Sequence, residues 1–330
     1  MRAMTSRPSV LTLMELFTGV AALTPPPGSV PHAEISSAVV DSRLVKAGSL
    51  FIAMEGAHQD GHDFIPEAIA NGAVAIIAER VPSNIDCDVL DVEKWQPDST
   101  EAARSVPLCL VVPNSLEALQ QAATHWRRMH DVGVIGITGS VGKTTTKEVV
   151  AAVVRQRYQT LKSEGNYNNE IGLPLTLLVL TAVHQRVVLE MGMYDLGEIT
   201  HLTRIALPQV GIVTNVGPTH LERLGTIERI AQAKSVLPRA LPPADEGGIA
   251  VLNVDQERVA AMAAATRARV FTYGLSPEAD LWADNIESAG LEGIHFRFHY
   301  GDDTIHARVP MLGRHSVHTA LCAAAVGLVE

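Results

Sequence analysis

The stretch GITGSVGKTTTKEV, residues 136–149, joins a short apolar run to a glycine-rich turn, which is followed by a lysine and three threonines. Small residues let backbone N–H groups converge on an anion, a lysine neutralises phosphate oxygens, and a hydroxyl can hold Mg²⁺. The usual phosphate-loop pattern has a glycine where Ile137 stands, but a predicted strand before the turn and a predicted helix after it point a helix N-terminus at the anion. We therefore predict a phosphate-binding loop formed by Gly139, Ser140, Val141, Gly142, Lys143, Thr144 and Thr145.

The segments around this loop have the pattern of a doubly wound, mostly parallel α/β sheet. Apolar runs of strand length (VGVIGITG, RVVLEMGM, VGIVTNVG and GIAVLNVD) are each followed by a segment of helical period. Ligands of such sheets collect at the carboxyl ends of the strands, here residues 136–144, 190–197 and 214–222. After residue 280 the sequence predicts a β-meander and then an apolar helix that runs to the last residue.

The sequence before the loop predicts a separate, smaller α/β domain. Residues 34–80 alternate short strand-like runs with a helix predicted at 62–72, and residues 82–106 read as a loop. A strand LCLVV and a helix near 114–129 complete this part. We therefore predict an N-terminal domain over residues 1–130 and a nucleotide-binding domain over residues 131–330.

Composition excludes several classes of protein. Of the 330 residues, 47% are hydrophobic and 19% charged, which is typical of a folded α/β protein, and the net charge of −10 argues against nucleic acid as a partner. The cysteines, three in number and far apart, fit a reducing cytoplasm. The N-terminal apolar stretch contains Glu15 and predicts an amphipathic helix, and no run is long enough for a membrane span.

Four further stretches carry a resemblance to a known family. They are DSRLVKAGSLFIAMEG (41–56), GNYNNEIGLPLTLL (165–178), VGPTHLERLGTIERIAQAK (216–234) and MLGRHSVHTALCAAA (311–325). Together with the phosphate loop they resemble the Mur ligases, the ATP-dependent amide-forming enzymes of peptidoglycan synthesis. Within that family the resemblance is to the branch that joins D-Ala-D-Ala to UDP-MurNAc-tripeptide.

The resemblance implies a two-step reaction. The γ-phosphoryl group of ATP moves to the terminal carboxylate of the UDP-linked tripeptide, and the amine of D-Ala-D-Ala then displaces phosphate from the acyl phosphate. Two alternatives stay open at this point. One is another Mur-type ligase, similar to MurE or to folylpolyglutamate synthetase, and the other is a nucleotide-binding module that is inactive by itself.

The resemblance also assigns roles around the phosphate loop. Lys143 is expected to contact the β- and γ-phosphates, and Thr144 a Mg²⁺ ion. Glu190 matches a Mg²⁺ ligand and His220 a histidine close to the metal. The residues expected to be catalytic are Lys143, His220 and Lys234. Lys234 aligns with a lysine that is carbamylated in several relatives, where the carbamate binds a second Mg²⁺; two ions are therefore expected.

Other matching positions lie in the remaining motifs. Asn168 and Asn169 match amides near the nucleotide, and Arg314 and His315 match a nucleotide-contacting motif. That motif has asparagine in many relatives where this chain has Ser316 and Thr319, which puts adenine contacts from this helix in question. A further match, to the uridine-nucleotide site of the family, is formed by Asp41, Ser42 and Arg43.

The family pattern includes a third, C-terminal α/β domain, which the sequence analysis expects to be absent from this chain. We therefore expect ligand binding to exceed catalysis for the chain alone, and a separate C-terminal domain acting in trans is a candidate partner.

Overall fold

The computed structural model describes residues 9–83, 85–96, 105–219 and 221–330. The α-helices α1 to α11 span Leu13–Ala21, Ile65–Ala70, Ser115–Met129, Lys143–Val154, Gly172–Leu178, Glu198–Ala206, Leu221–Leu224, Ile227–Lys234, Val236–Ala240, Glu257–Ala260 and Ser316–Val329. The strands β1 to β14 span Ser37–Val39, Ser49–Ile52, Ala73–Ala78, Asp88–Asp91, Leu108–Val111, Gly133–Thr138, Thr160–Lys162, Arg186–Glu190, Val210–Val213, Ile249–Asn253, Arg269–Gly274, Leu281–Ser288, Ile294–Tyr300 and Asp303–Val309. The predicted α/β class is confirmed.

The chain divides into two compact units. The first contains the residues up to Asp131 together with Glu170–Val183, and the second contains Val132–Asn169 and His184–Glu330. The segment Glu170–Val183 is therefore separated in sequence from the rest of its unit.

The first unit is built on a five-stranded sheet with the order β1-β2-β3-β5-β4, and every neighbouring pair is parallel. Its strands β2 and β3 are almost wholly buried, in keeping with the continuous apolar runs from which they are predicted. Strand β4 lies inside the stretch 82–106, which is predicted to be a loop, so that prediction is wrong for Asp88–Asp91. Its sequence DVLD pairs with β5 at the sheet edge, although a run this short carries no periodic signal.

Two further details of the first unit depart from the predicted elements. The helix predicted at 62–72 consists of a 3₁₀ turn, Gly61–Phe64, followed by the shorter α2. Helix α5, from the segment Glu170–Val183, packs against α3, where Trp126 donates a hydrogen bond from Nε1 to the carbonyl oxygen of Leu180 at 3.0 Å. The Trp126 ring is fully buried, so the apolar face of α3 needs this segment to cover it.

The second unit is built on a nine-stranded sheet with the order β14-β13-β12-β11-β10-β9-β6-β8-β7. Strands β12, β13 and β14 form the antiparallel meander that the sequence predicts, and the other pairs are parallel. Strand β6 lies between β8 and β9, with Ile137 opposite Glu190 and Thr138 opposite Val213. This register brings the three loops predicted to bind ligand to one edge of the sheet.

One side of this sheet is covered by helices from opposite ends of the unit. Helix α4, which begins at the phosphate loop, packs against α11, and their apolar side chains share one buried cluster with β6, β10 and β11. Packing against α11 therefore fixes the direction in which α4 leaves the loop. Within the described ranges, none of the helices has the length and hydrophobicity needed to cross a bilayer.

Candidate active site

The phosphate loop connects the end of β6 to the start of α4. Gly142 has a φ of 81°, in the left-handed region that favours glycine. At Gly139 an added Cβ would lie 1.9 Å from Thr214 Oγ1, so only glycine fits there. Helix α4 begins after Gly142 without a side-chain cap, which leaves the first N–H groups of the helix directed toward an anion.

Lys143 is folded back over its own loop. Its Nζ donates hydrogen bonds to the carbonyl oxygens of Gly139 at 2.9 Å and Ser140 at 3.4 Å. Burial lowers the pKa of Lys143, and the nearby carboxylate of Glu190 opposes that shift. A bound phosphate would give the ammonium a better partner than two neutral carbonyl groups.

The loop is held in place by the residues that follow β9. Ser140 Oγ donates to the carbonyl oxygen of Gly217 at 3.0 Å and accepts from the N–H of Gly217 at 2.9 Å. Asn215 Oδ1 accepts from the N–H of Val141 at 2.9 Å, and its Nδ2 donates to the carbonyl oxygen of Val141 at 2.8 Å. Ser140 and the backbone of Val141 therefore hold the loop, and the groups left for an anion start at Gly142.

Glu190, at the end of β8, is the centre of the site. Its side chain is buried, with Oε2 accepting from Thr144 Oγ1 at 2.8 Å and Oε1 accepting from Asn168 Nδ2 at 2.9 Å. The backbone N–H of Glu190 donates to Ser163 Oγ at 3.2 Å. The structure thus brings together three predicted site residues, and Asn169, which follows Asn168, is exposed at the end of the same loop.

The donor set around Glu190 fits a magnesium ion. A carboxylate and a threonine hydroxyl are hard oxygen ligands, and Mg²⁺ is usually held by one or two carboxylates together with phosphate oxygens and water. In the described part of the chain, no group of three or more His, Cys, Asp or Glu side chains is placed to hold a metal by itself. The residues therefore fit an ion that is shared with a bound phosphate rather than one enclosed by protein.

Lys234, at the end of α8, is almost completely buried, with 1% of its surface exposed. Burial, together with the positive charge of Lys143, lowers its pKa to about 7. Its side chain forms no hydrogen bond or ion pair with any residue in the ranges that the structure describes. A buried amine that is partly neutral at physiological pH has the chemistry that carbamylation by CO₂ requires. The other predicted metal-proximal residue, His220, lies outside the described residues.

A cavity of about 460 Å³ extends from the phosphate loop toward α11. The predicted residues Arg314 and His315 line it, and Thr319 lines it as well. Ser316 is instead buried, and its hydroxyl donates to the carbonyl oxygen of Leu312 at 2.7 Å. Position 319 thus faces this cavity, whereas the hydroxyl at position 316 stabilises the start of the helix.

The first unit has a cavity of its own, of about 760 Å³, which is lined by Asp41, Ser42 and Arg43. Arg43 donates to both carboxylate oxygens of Asp41, at 2.9 and 2.6 Å, and this hydrogen bonding lowers the pKa of Asp41. Ser42 Oγ donates to Glu67 Oε2 at 2.6 Å. The Arg43 side chain is 79% exposed, so its guanidinium is accessible to a ligand phosphate while Asp41 orients it.

Several residues of these sites were not identified from the sequence. Asn215 lies in a loop that the strand pattern predicts to bind ligand. Its hydrogen bonds to the backbone of Val141 could not be predicted without the fold. Asn253, Gln256, Tyr273 and His318 line the cavity beside the phosphate loop, and they come from three separate segments of the chain. Asn253, the last residue of β10, follows the same end-of-strand rule as Glu190 and could have been found by it.

A doubly wound sheet with a phosphate loop after its central strand, a lysine over that loop and a buried carboxylate beside it defines a P-loop nucleotide-binding protein. Profiles of two domains match the sequence, the Mur ligase middle domain over residues 137–327 and the Mur ligase family catalytic domain over residues 34–127. The chain belongs to the Mur ligase family.

Similar proteins of known sequence and structure point to one branch of this family. The UDP-N-acetylmuramoyl-tripeptide–D-alanyl-D-alanine ligase of Mycobacterium bovis is 35% identical over 97% of this chain. A crystal structure of MurF from Acinetobacter baumannii superposes with a TM-score of 0.79 and 28% identity, covering 97% of this chain and 66% of that one. MurF of Thermotoga maritima in complex with ADP has a TM-score of 0.72 and 30% identity, covering 88% of this chain and 62% of that one. The chain spans 62% of the length of the Mycobacterium bovis relative.

Proposed function

We propose that this chain forms the substrate- and nucleotide-binding part of a cytoplasmic MurF-type ligase, which adds D-Ala-D-Ala to UDP-MurNAc-tripeptide with conversion of ATP to ADP and phosphate. The observation that carries the proposal is the arrangement at Glu190. A buried carboxylate accepts hydrogen bonds from the P-loop threonine Thr144 and from Asn168, beside Lys143. A module that only binds nucleotide would have no need of the buried Lys234 in addition to these residues.

The residues present account for the first step by positioning and charge. The N-terminus of α4 and Lys143 would hold the β- and γ-phosphates, and Thr144 and Glu190 would hold Mg²⁺. The ion supplies positive charge that stabilises the phosphoryl group during transfer. The bond from the γ-phosphorus to the bridging oxygen of ADP breaks while a bond forms to an oxygen of the tripeptide carboxylate.

In the second step the amine of D-Ala-D-Ala attacks the acyl carbon, phosphate leaves and the amine loses a proton. We propose that the neutral amine of Lys234 adds to CO₂, forming an N–C bond and losing one N–H proton to water, and that the resulting carbamate and His220 would hold a second Mg²⁺. The burial of Lys234 and its pKa of about 7 support this part of the proposal. The base and ribose of ATP would occupy the 460 Å³ cavity beside Arg314 and His315.

The UDP group would occupy the 760 Å³ cavity of the first unit, with Arg43 as the phosphate partner. Because the chain spans 62% of its relative's length, we propose that full activity also requires the remaining part, either in a longer chain or supplied in trans.

The test is to incubate the purified chain with ATP, Mg²⁺, UDP-MurNAc-tripeptide and D-Ala-D-Ala, with and without the separately produced C-terminal part of a relative. Mass spectrometry would detect UDP-MurNAc-pentapeptide. We expect the product to form, and Lys143→Ala to abolish it because the phosphates lose their main cation.

Replacing D-Ala-D-Ala with a diamino acid and the tripeptide with the dipeptide substrate tests for another Mur-type ligase. Failure to bind both ATP and the UDP-substrate would contradict the proposal, and binding without product in either mixture would favour an inactive nucleotide-binding module.

A further inference from the structure

Lys147 is a buried charged residue that the proposed reaction does not use. It lies one helical turn after Lys143 on α4, and its side chain is fully buried. Its Nζ donates to the carbonyl oxygen of Gly165 at 3.3 Å and lies 3.3 Å from Glu148 Oε1. Burying an ammonium group is costly unless it is paired and hydrogen-bonded, so a lysine at this position requires a specific reason.

The ion pair with Glu148 does not by itself supply that reason. Glu148 is 47% exposed and also accepts from Lys162, at 2.5 Å, so a second lysine already neutralises this carboxylate. The contact specific to Lys147 is the one with Gly165, whose φ of 47° lies in the left-handed region. Lys147 therefore fixes a backbone carbonyl in the turn that follows β7.

The turn that Lys147 holds, residues 164–169, presents Asn168 to the centre of the site. The carbonyl oxygen of Asn168 accepts from the N–H of Gly192 at 2.8 Å, and its Nδ2 donates to Glu190 Oε1 at 2.9 Å. Gly192 leaves little free space here, since an added Cβ would lie 3.0 Å from the Asn168 side chain. A shift of this turn would therefore change the position of the amide that orients Glu190.

We propose that Lys147 is a positioning residue, which holds the 164–169 turn so that Asn168 orients the Glu190 carboxylate toward the phosphate-bound cation. This inference rests on the proposed function of Glu190 as a magnesium ligand. The path consists of two hydrogen bonds, from Lys147 to Gly165 and from Asn168 to Glu190, which the backbone of the turn connects. Hydrogen-bond partners of metal ligands typically affect metal affinity by about 10–100-fold.

The first measurement is the binding of a fluorescent ATP analogue to the intact chain while Mg²⁺ is titrated. For Lys147→Met, which fills similar space without a donor, we expect the Mg²⁺ concentration at half-saturation to rise about tenfold, near the lower limit for partners of metal ligands. Lys162→Met is the matched control, because Lys162 shares the Glu148 partner while, within the described residues, its side chain forms no hydrogen bond to the turn. We expect its half-saturation point to match that of the wild type.

A double variant distinguishes positioning from a general loss of stability. If Lys147 acts through Asn168, the variant Lys147→Met/Asn168→Ala should need no more Mg²⁺ than Asn168→Ala alone. Hydrogen exchange, measured without nucleotide or metal, should be faster at the Gly192 amide in Lys147→Met than in the wild type. Should Lys147→Met fail to fold, Lys147→Gln replaces it; its uncharged amide donor ends one atom short of the Nζ position, so we expect the same changes to a smaller degree.

The outcomes separate the two proposals. If the wild type shows no Mg²⁺-dependent nucleotide binding, the proposed function fails, while hydrogen exchange still tests the effect of Lys147 on the turn. If the wild type binds and a folded Lys147 variant has an unchanged Mg²⁺ midpoint and unchanged exchange at Gly192, the positioning role is overturned. Additive effects of the Lys147 and Asn168 substitutions would also overturn it.

Discussion

At the scale of single residues, Gly139 is the position where the phosphate loop has least freedom. The loop passes so close to the end of β9 that an added methyl group would overlap Thr214 Oγ1, at 1.9 Å. Thr214 is not replaceable without cost either, because its hydroxyl donates to the carbonyl oxygen of Val141 at 3.1 Å. The two positions are therefore coupled sterically.

We expect Gly139→Ala to lower the free energy of unfolding by about 1–3 kcal/mol, as overpacking substitutions do, and to weaken nucleotide binding. Thr214→Ala in the same chain should recover part of the loss, since it removes the overlapping oxygen. Urea unfolding of the two single variants and the double variant measures this coupling. Additive losses would contradict the steric explanation.

Lys234 gives a prediction for the dependence of stability on pH. Because its pKa is about 7 in the folded chain and near 10.5 in the unfolded chain, the unfolded state binds more protons between these values, and stability rises with pH there. Lys234→Met removes this contribution. Relative to the wild type, the variant should gain most at or below pH 7, by about 5 kcal/mol at the upper limit, and the gain should vanish near pH 10.5.

The measurement is urea unfolding of both proteins in CO₂-free buffers between pH 6 and pH 10. A difference in the free energy of unfolding that stays constant over this range would contradict a neutral, buried Lys234.

At the scale of elements, the sequence predicts most of the second unit correctly. Strands β6, β8, β9 and β10 are buried on both faces, so each is a continuous apolar run, and the segments between them have helical period. Strand β4 was missed because an edge strand of four residues with aspartate at both ends depends on its pairing with β5 rather than on its own pattern.

The candidate site was predictable to a similar extent. Lys143, Thr144 and Glu190 follow from the phosphate-loop pattern and from the rule that parallel strands collect ligands at their carboxyl ends. Their roles stay predictions. The contacts of Lys147 and Asn215 were not predictable, because a lysine on a helix and an asparagine in a loop are usually solvated, and only the folded backbone places a partner beside them.

At the scale of the whole molecule, each of the two compact units is formed by two separate segments of the chain. Residues 170–183 come between two segments of the second unit, but helix α5 packs against α3 of the first. Leu177, in α5, is fully buried. Removal of its side chain should therefore destabilise the first unit, whose other residues end at Asp131.

We expect Leu177→Ala to cost about 2–5 kcal/mol and to raise hydrogen exchange in α3, leaving β10 and β11 protected. The matched control is Leu202→Ala, a buried leucine of α6 in the second unit, which should spare α3. Mass-spectrometric exchange of the two variants measures the contrast. Faster exchange in β10 and β11 but not in α3 after Leu177→Ala would contradict this division.

The Trp126–Leu180 hydrogen bond constrains how the gene for this chain can recombine with that of a diverged relative. A crossover near residue 131 would give a hybrid whose α3 comes from one parent and whose covering segment 170–183 comes from the other. In such a hybrid the Trp126 indole must pack against a covering segment whose side chains come from the other parent. A functional exchange of the first unit therefore requires that the coding regions for residues up to 131 and for residues 170–183 come from the same parent. Functional hybrids between diverged parents should carry these two regions from one parent.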